Sequence, residues 1–383
     1  MPSESKPQGN IVSYIEELGH QSFDERPFCE VDSLILAQLS YLNYRNCETC
    51  DDPCGCTLAD IFSSCFGGSY VRNTWNPDGN IALMRRAARS RRFGGIKADH
   101  HVCIIDHAEQ EQFSAITFHL NDNLHYIAFR GTDATVVGWK EDFNLSFSKN
   151  IPSQRSAARY AQQIARSVQG PLILGGHSKG GNLAVCAAMA MSPEQKARIL
   201  TVYNHDGPGF PPEVFESADY RSICDRIHKT IPQTAIIGLM LGQHESYFVV
   251  GSNAFSFFQH DPFSWIVKDG SFVYIKDVDS FSKYTNRTLN AWLNNLDIET
   301  RKTFVDALYT ILEHTDAFTF YDLAENWRRN LKAIYEAVRA TDPSVRRVIS
   351  QTIGALIRAS ADGMKDLVHE QVLMLREKMQ SDE

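Results

Sequence analysis

The stretch LILGGHSKGGNLAVCAAMA, Leu172 to Ala190, sets a serine among glycines where a strand-like run gives way to a helix-like one. Within it, Gly176-His177-Ser178-Lys179-Gly180 matches the pattern G-x-S-x-G. A hydroxyl is a poor nucleophile, so a protein that uses one must expose it and supply a base and an oxyanion site. Gly176 and Gly180 let a strand turn sharply into a helix without side-chain clash, leaving the serine oxygen at the tip. The context fits: PLIL precedes, and an alanine-rich helix follows, with Gly181, Ala184, Ala187 and Ala188 small enough to pack close on a sheet. The plainer reading of the same residues is a tight strand–helix turn capped by a serine.

Working outward, the flanks repeat the alternation. RSAARYAQQIARSVQ (Arg155 to Gln169) reads as a helix, and ILTVYNHDGPGF as a strand ending in a glycine-rich loop. DRIHKTIPQTAIIGLML and ESYFVVGS add further strand candidates. Strand, helix and strand in turn form the pattern of a parallel sheet covered by helices. Before them, FSAITFHL and LHYIAFR, joined by NDN, read as a β-hairpin. Residues 11–45 read as helical, with Val31, Leu34, Ile35, Gln38, Leu39 and Leu42 as a stripe. After about Asp277 the texture turns wholly helical: Leu289, Trp292, Leu293 and Leu296 recur at helical spacing. The expected organisation is therefore residues 1–100 as a helical segment with a Cys- and Arg-containing insertion packed on the core, 101–276 as the α/β core, and 277–383 as a helical region.

A chain of 383 residues with a net charge of −8 repels polyanions, so nucleic acid is not an expected partner. The start of the chain shows no basic stretch followed by an apolar run, and the nine cysteines are odd in number. Reduced thiols and a cytoplasmic location are expected. Cys47, Cys50, Cys54 and Cys56 crowd into one loop. Four thiolates can hold zinc, but structural zinc sites join two distant pairs, so no metal and no cofactor is expected. The run RRAARSRRF (Arg85 to Phe93) has five arginines; it reads as a solvated helix face, with contact to anionic lipid headgroups as the other reading.

At this point the sequence resembles a family. AFRGTDATVVGWKEDFNLSF (Ala128 to Phe147) is similar to the FRGT segment of class 3 lipases, and GGHSKGGNLA to their elbow. PFCEVDSLILAQLSYLNY (Pro27 to Tyr44) and FQHDPFSW (Phe258 to Trp265) look more like an uncharacterised bacterial branch of that superfamily. The resemblance spans roughly residues 11 to 275 and implies an α/β-hydrolase fold, a mostly parallel sheet flanked by helices with a C-terminal helical extension. It assigns the oxyanion hole to the backbone of Thr132, after FRG, and to the amide of Lys179.

In this fold the chain order is nucleophile, acid, histidine. Histidines after the elbow are His205, His228, His244, His260, His314 and His369. His260 is preferred because QHDPFSW resembles the histidine loop of these lipases; His244 is the alternative. His177, within the elbow, is read as a packing residue. The acid departs from the family pattern: where these lipases carry aspartate, PQTAIIG has Thr234. Asp206, ending the preceding strand in NHDGPGF, is the preferred substitute, since both strand ends open on one edge; it also reads as a turn-forming residue, and Asp261 is second choice. The resemblance thus implies a serine esterase acting through Ser178, His260 and Asp206 on carboxylic esters, with acyl lipids such as lysophospholipids or monoacylglycerols as the substrate class, a part in lipid metabolism and peripheral membrane contact as its setting. An amidase or thioesterase on the same residues, or an inactive fold used as a binding module, are the rivals.

Overall fold

The structure is a computed structural model that describes residues 9–278 except 45–54, 65–67, 72–73, 107, 110, 133–150, 236, 240–245 and 255, together with Pro343, Arg346 and Arg347. The chain divides into two compact units, Met1–Val278 and Asp279–Glu383. The helices expected in the second unit lie outside the described residues, as do Cys47, Cys50, Cys54, His244, His314 and His369.

One nine-stranded sheet organises the first unit. Its strands are β1 (Cys56–Thr57), β2 (Lys97–Asp106), β3 (Glu111–Asn121), β4 (Leu124–Phe129), β5 (Leu172–His177), β6 (Ile199–His205), β7 (Ile227–Pro232), β8 (Phe248–Val250) and, after the hairpin of β9 (Val267–Lys268) and β10 (Ser271–Phe272), β11 (Tyr274–Ile275). They lie in the order β1-β2-β3-β4-β5-β6-β7-β8-β11. From β4 to β8 the strands run parallel, each paired to the next. The margins are antiparallel: β1 to β4 on one side and β11 on the other. This is an α/β-hydrolase fold, with the parallel centre demanded by strand–helix alternation and hairpins added where turns are short.

The pleat of β3 and β4 sorts two cores. Ile116, Phe118, Tyr126 and Ala128 face the helices α1 (Ile11–Leu18), α2 (Glu30–Leu39), α3 (Leu58–Ser64) and α4 (Pro77–Arg89). Phe113, Ala115, Ile127 and Phe129 face α5 (Pro152–Ser167) and α6 (Lys179–Ala190) on the other side. The span read as one helical region, residues 11–45, is two helices. The stripe on α2 understates its burial, for every residue from Val31 to Leu39 is buried. A helix apolar on most of its faces belongs between layers, and α2 lies against the sheet. Its Ser33 hydroxyl is 2.9 Å from Tyr126 Oη and 2.9 Å from His205 Nε2. Among the described residues no helix is long and apolar enough to cross a membrane.

Four residues of the arginine run, Arg85, Arg86, Arg89 and Arg91, are exposed, and the fifth, Arg92, is not. Arg86 pairs with Glu16 at 2.7 Å and Arg91 with Glu25 at 3.0 Å. Arg89 lies over the Phe62 ring. Arg92 is fully buried and grips Asp32 with two bonds, Nε to Oδ1 at 2.7 Å and Nη2 to Oδ2 at 2.6 Å. Its remaining donors reach the carbonyls of Ser22, Arg26 and Pro27, which shapes the chain between α1 and α2. Tyr14 Oη and the Cys29 amide complete the bonding of Asp32. A buried pair so fully bonded is tolerated, whereas removing one partner strands a charge in the core. Asp32→Ala is therefore expected to lower unfolding free energy by about 3–5 kcal/mol in equilibrium urea unfolding, while Glu16→Ala, in an exposed pair, changes it by under about 1 kcal/mol.

Candidate active site

At the end of β5 the chain turns through Ser178 at φ 57, ψ −132, a conformation L-residues rarely adopt, and enters α6 at once. The turn closes because its neighbours lack side chains. A Cβ on Gly176 would lie 2.3 Å from the Gly180 carbonyl carbon, and one on Gly180 would lie 2.1 Å from Phe129 O. The Ser178 amide donates to His205 O at 2.9 Å, which ties the elbow to the end of β6. Ser178 is left half-buried, at the C-terminal edge of the parallel strands.

Two loops from that edge converge on it. Asp206 follows β6 at φ 51, and its amide donates to Thr230 O on β7 at 2.7 Å. His260 ends a short 3₁₀ turn, Ser256–His260, beyond β8. His260 Nε2 lies 3.0 Å from Ser178 Oγ, and His260 Nδ1 lies 2.6 Å from Asp206 Oδ2. The other carboxylate oxygen, Oδ1, accepts the Gly238 amide at 3.0 Å. Burial pushes the Asp206 carboxyl above the usual range, although the His260 ring beside it pulls the other way. Side-chain exposure rises outward, from 1% at Asp206 to 23% at His260. A carboxylate bonded to Nδ1 fixes the imidazole tautomer that leaves Nε2 free to take a proton from the serine.

The alternatives for the acid are engaged elsewhere. Asp261 accepts from Asn76 Nδ2 at 3.1 Å and from the Phe263 amide at 3.1 Å, so it caps a turn. Thr234 serves through its backbone: its amide donates to Gln259 Oε1 at 2.7 Å, next to His260. His205 and His228 remain in their strands. Burial depresses both, His205 to about 3.

Thr132 and Lys179 flank the serine. A Cβ on Gly131 would be 3.2 Å from Ser178 Cβ, so the FRGT turn lies against the elbow, with Thr132 buried. Lys179 opens α6, where helix geometry turns amides toward the N-terminal end. Its side chain leaves the site, with Nζ donating to Gln112 O at 3.0 Å. The residues of the FRGT segment after Thr132 lie outside the described residues.

Sequence reading missed the supports. His177, read as packing, is hydrogen-bonded at both ring nitrogens: Nε2 to His260 O at 2.9 Å and Nδ1 to Tyr41 Oη at 3.2 Å. Burial holds it well below the usual histidine range, with His260 and His205 adding to the effect, so the neutral ring donates from Nε2. Trp265 Nε1 donates to Gln259 O at 2.9 Å. Asn182, on α6, donates to the carbonyls of Pro208 and Gly209 and so holds the loop after Asp206. These partners are distant in the chain, and no local pattern announces them.

Residues 87–310 match the Mbeg1-like family. Among curated proteins none matches the chain in sequence. Among solved structures the chain is similar to M37 lipase, at 15% identity and TM-score 0.36, over 55% of this chain and 69% of that one. It is similar also to a fungal lipase in an inhibitor complex, at 13% identity and TM-score 0.34, over 57% and 75% of the two chains. A third is the Rhizomucor miehei lipase in its propeptide complex, at 14% identity and TM-score 0.32, over 47% and 60%. The fold assignment rests on the strand order and elbow of this chain.

The bond from His177 to His260 O ties the His260 turn to the elbow, a positioning role wherever Ser178 reacts through His260. His177→Phe removes the donor and lets the His260 turn shift; a displacement of about 1 Å slows a reaction roughly 10²-fold. The second-order rate of Ser178 modification by a fluorophosphonate is expected to fall by that order, and His177→Gln, whose amide can donate, is expected to restore part of it. Equal rates in all three proteins would remove this role from His177.

Proposed function

The chain belongs to the Mbeg1-like family, and from that premise we propose that it is a serine hydrolase of carboxylic esters. One observation carries the reading: Ser178 Oγ, His260 Nε2, His260 Nδ1 and Asp206 Oδ2 form one hydrogen-bonded line, at 3.0 and 2.6 Å, beginning at a positive-φ elbow. In the proposed reaction His260 takes the Ser178 proton as Oγ attacks the ester carbonyl. Asp206 holds the imidazolium in place. The oxyanion rests on the amides of Thr132 and Lys179. His260 then returns the proton to the leaving alcohol, and water, activated by the same ring, releases the acid from the acyl-serine.

Acyl lipids are the substrate class we propose, on the resemblance of the FRGT and GHS segments to class 3 lipases. Of the arginine run, Arg92 is buried against Asp32 and out of reach of a headgroup, whereas Arg85, Arg86, Arg89 and Arg91 stay at the surface, where peripheral contact with anionic lipid is part of the proposal. The inactive-scaffold reading drew its support from Thr234 in the place of an acid. That support falls away once a different aspartate lies at His260.

Purified protein incubated with a fluorophosphonate probe is expected to be labelled in the wild type and unlabelled in Ser178→Ala. Asp206→Asn, which upsets the imidazole tautomer, is expected to slow labelling by up to about 10⁴-fold, and His260→Ala by a similar order. A screen of p-nitrophenyl esters and monoacylglycerols then measures the leaving group and chain length. Folded wild-type protein that resists the probe would return the scaffold reading to first place.

A further inference from the structure

The opposite end of the sheet carries ionisable side chains that the proposed reaction does not use. Pairing between β2 and β3 slips between Asp99, opposite Thr117, and Val102, opposite Ala115, so β2 holds one extra residue there. His100 lies in this bulge at φ 52. A bulge re-aims a side chain that strict alternation would send to the other face. Here it brings His100 Nδ1 to 2.6 Å from Asp99 Oδ1. The second carboxylate oxygen, Oδ2, lies 2.8 Å from Nε2 of His119 on β3. The Tyr160 hydroxyl, from α5, donates to His100 O at 2.9 Å and holds the bulge.

Behind His119 the bonding continues. His119 Nδ1 is 2.7 Å from His125 Nδ1, and His125 Nε2 is 2.8 Å from Gln169 O. A carbonyl oxygen only accepts, so His125 carries its proton on Nε2 and offers a lone pair on Nδ1. His119 Nδ1 must then be the donor. With that proton placed, neutral His119 turns a lone pair on Nε2 toward a carboxylate oxygen. Two acceptors at that distance repel, so a positive species belongs between them.

We propose that this species is a divalent transition-metal ion of the zinc class, ligated by Asp99, His100 and His119 with water in the fourth position. The three ligand atoms lie within 4.8 Å of one another. Bonds of about 2.0–2.2 Å set tetrahedral ligand atoms roughly 3.3 Å apart, so the two contacts to Asp99, at 2.6 and 2.8 Å, need to spread by less than about 1 Å, and the two imidazoles to close by at most about 1.5 Å. Two imidazoles and a carboxylate suit zinc. The chain from His119 through His125 to Gln169 O is the outer support that fixes the ring and tautomer of a ligating histidine. Side-chain exposure of 32% at His100 and 18% at His119, against 7% at Asp99, opens the site to an incoming ion. His125 pairs with Leu172 at the start of β5, whereas Ser178 follows its end. At about 3.3 Å per residue the two sites are roughly 20 Å apart. The ion therefore cross-links β2 and β3 and takes no part in acyl transfer.

The test uses the full chain, stripped with a chelator and titrated with zinc beside His100→Gln, His119→Gln and a Cys47→Ser/Cys50→Ser/Cys54→Ser variant. Wild type and the cysteine variant are expected to share one zinc that both histidine variants bind at least tenfold more weakly, by competition with a chromophoric chelator. Zinc is expected to raise the melting temperature of the first two proteins and not of the histidine variants. His100 is partly exposed, so His100→Gln should keep cooperative melting and separate lost ligation from lost fold. Zinc uptake and melting shift unchanged in His119→Gln would overturn the proposal. So would folded wild type that binds no zinc at micromolar concentration.

Discussion

The close approach of α6 to the ends of β4 and β5 is the constraint on which the site depends. With a side chain on Gly176 or Gly180, α6 would stand off from Phe129 O, and the turn at Ser178 would open. Gly181 extends the same contact, since a Cβ there would lie 2.3 Å from Asn204 Oδ1. That oxygen is already spoken for, accepting the Gly207 amide at 2.9 Å beside Asp206. Strain at Ser178 is thus held by backbone packing on one side and by the Asp206 loop on the other. Strained residues persist where the surroundings over-determine them.

Around this contact the fold arranges a graded environment. Asp206 and His177 are buried and bonded, His260 is partly exposed, and Ser178 lies at the rim. The polar groups beneath the elbow form a continuous net: Ser33, Tyr126, His205 and Thr230 join α2 to three strands. Buried polar groups that are all satisfied specify one arrangement, because any shift leaves a donor or acceptor unpaired. The Asp32–Arg92 pair does the same for the N-terminal helices, which pack on the face of the sheet opposite α6.

The two ends of the sheet are built differently. At the C-terminal ends, loops after β5, β6 and β8 can move independently of sheet register, so side chains from distant segments converge. At the other end, the Asp99, His100 and His119 cluster is fixed by the register of β2 and β3 together with a single bulge. The first arrangement suits a reacting centre, and the second suits a fixed ion.

The elbow was legible from sequence because its requirements are local. Glycines two residues either side of Ser178, an apolar run before and small residues after are steric demands written within one turn of chain. The β3–β4 hairpin and the strand–helix alternation were legible for the same reason. Partner choice was legible only through the resemblance of QHDPFSW and the texture of NHDGPGF, which favoured His260 and Asp206 without fixing them. Ser178 meets His260 across 82 residues and His260 meets Asp206 across 54. Several histidines and aspartates stood at suitable places in the chain order, and only the sheet order brings one of each to the elbow. Burial of Arg92 inside a run that reads as a solvated face, the bond from His177 to His260 O, and the bulge at His100 were invisible, since each depends on what a neighbouring strand or helix supplies. The sequence by itself determined where the chain must turn sharply and which hydroxyl the turn exposes. The tertiary structure alone decided which charged and polar groups share a site, because their pairing depends on strand order and register rather than on the spacing of residues along the chain.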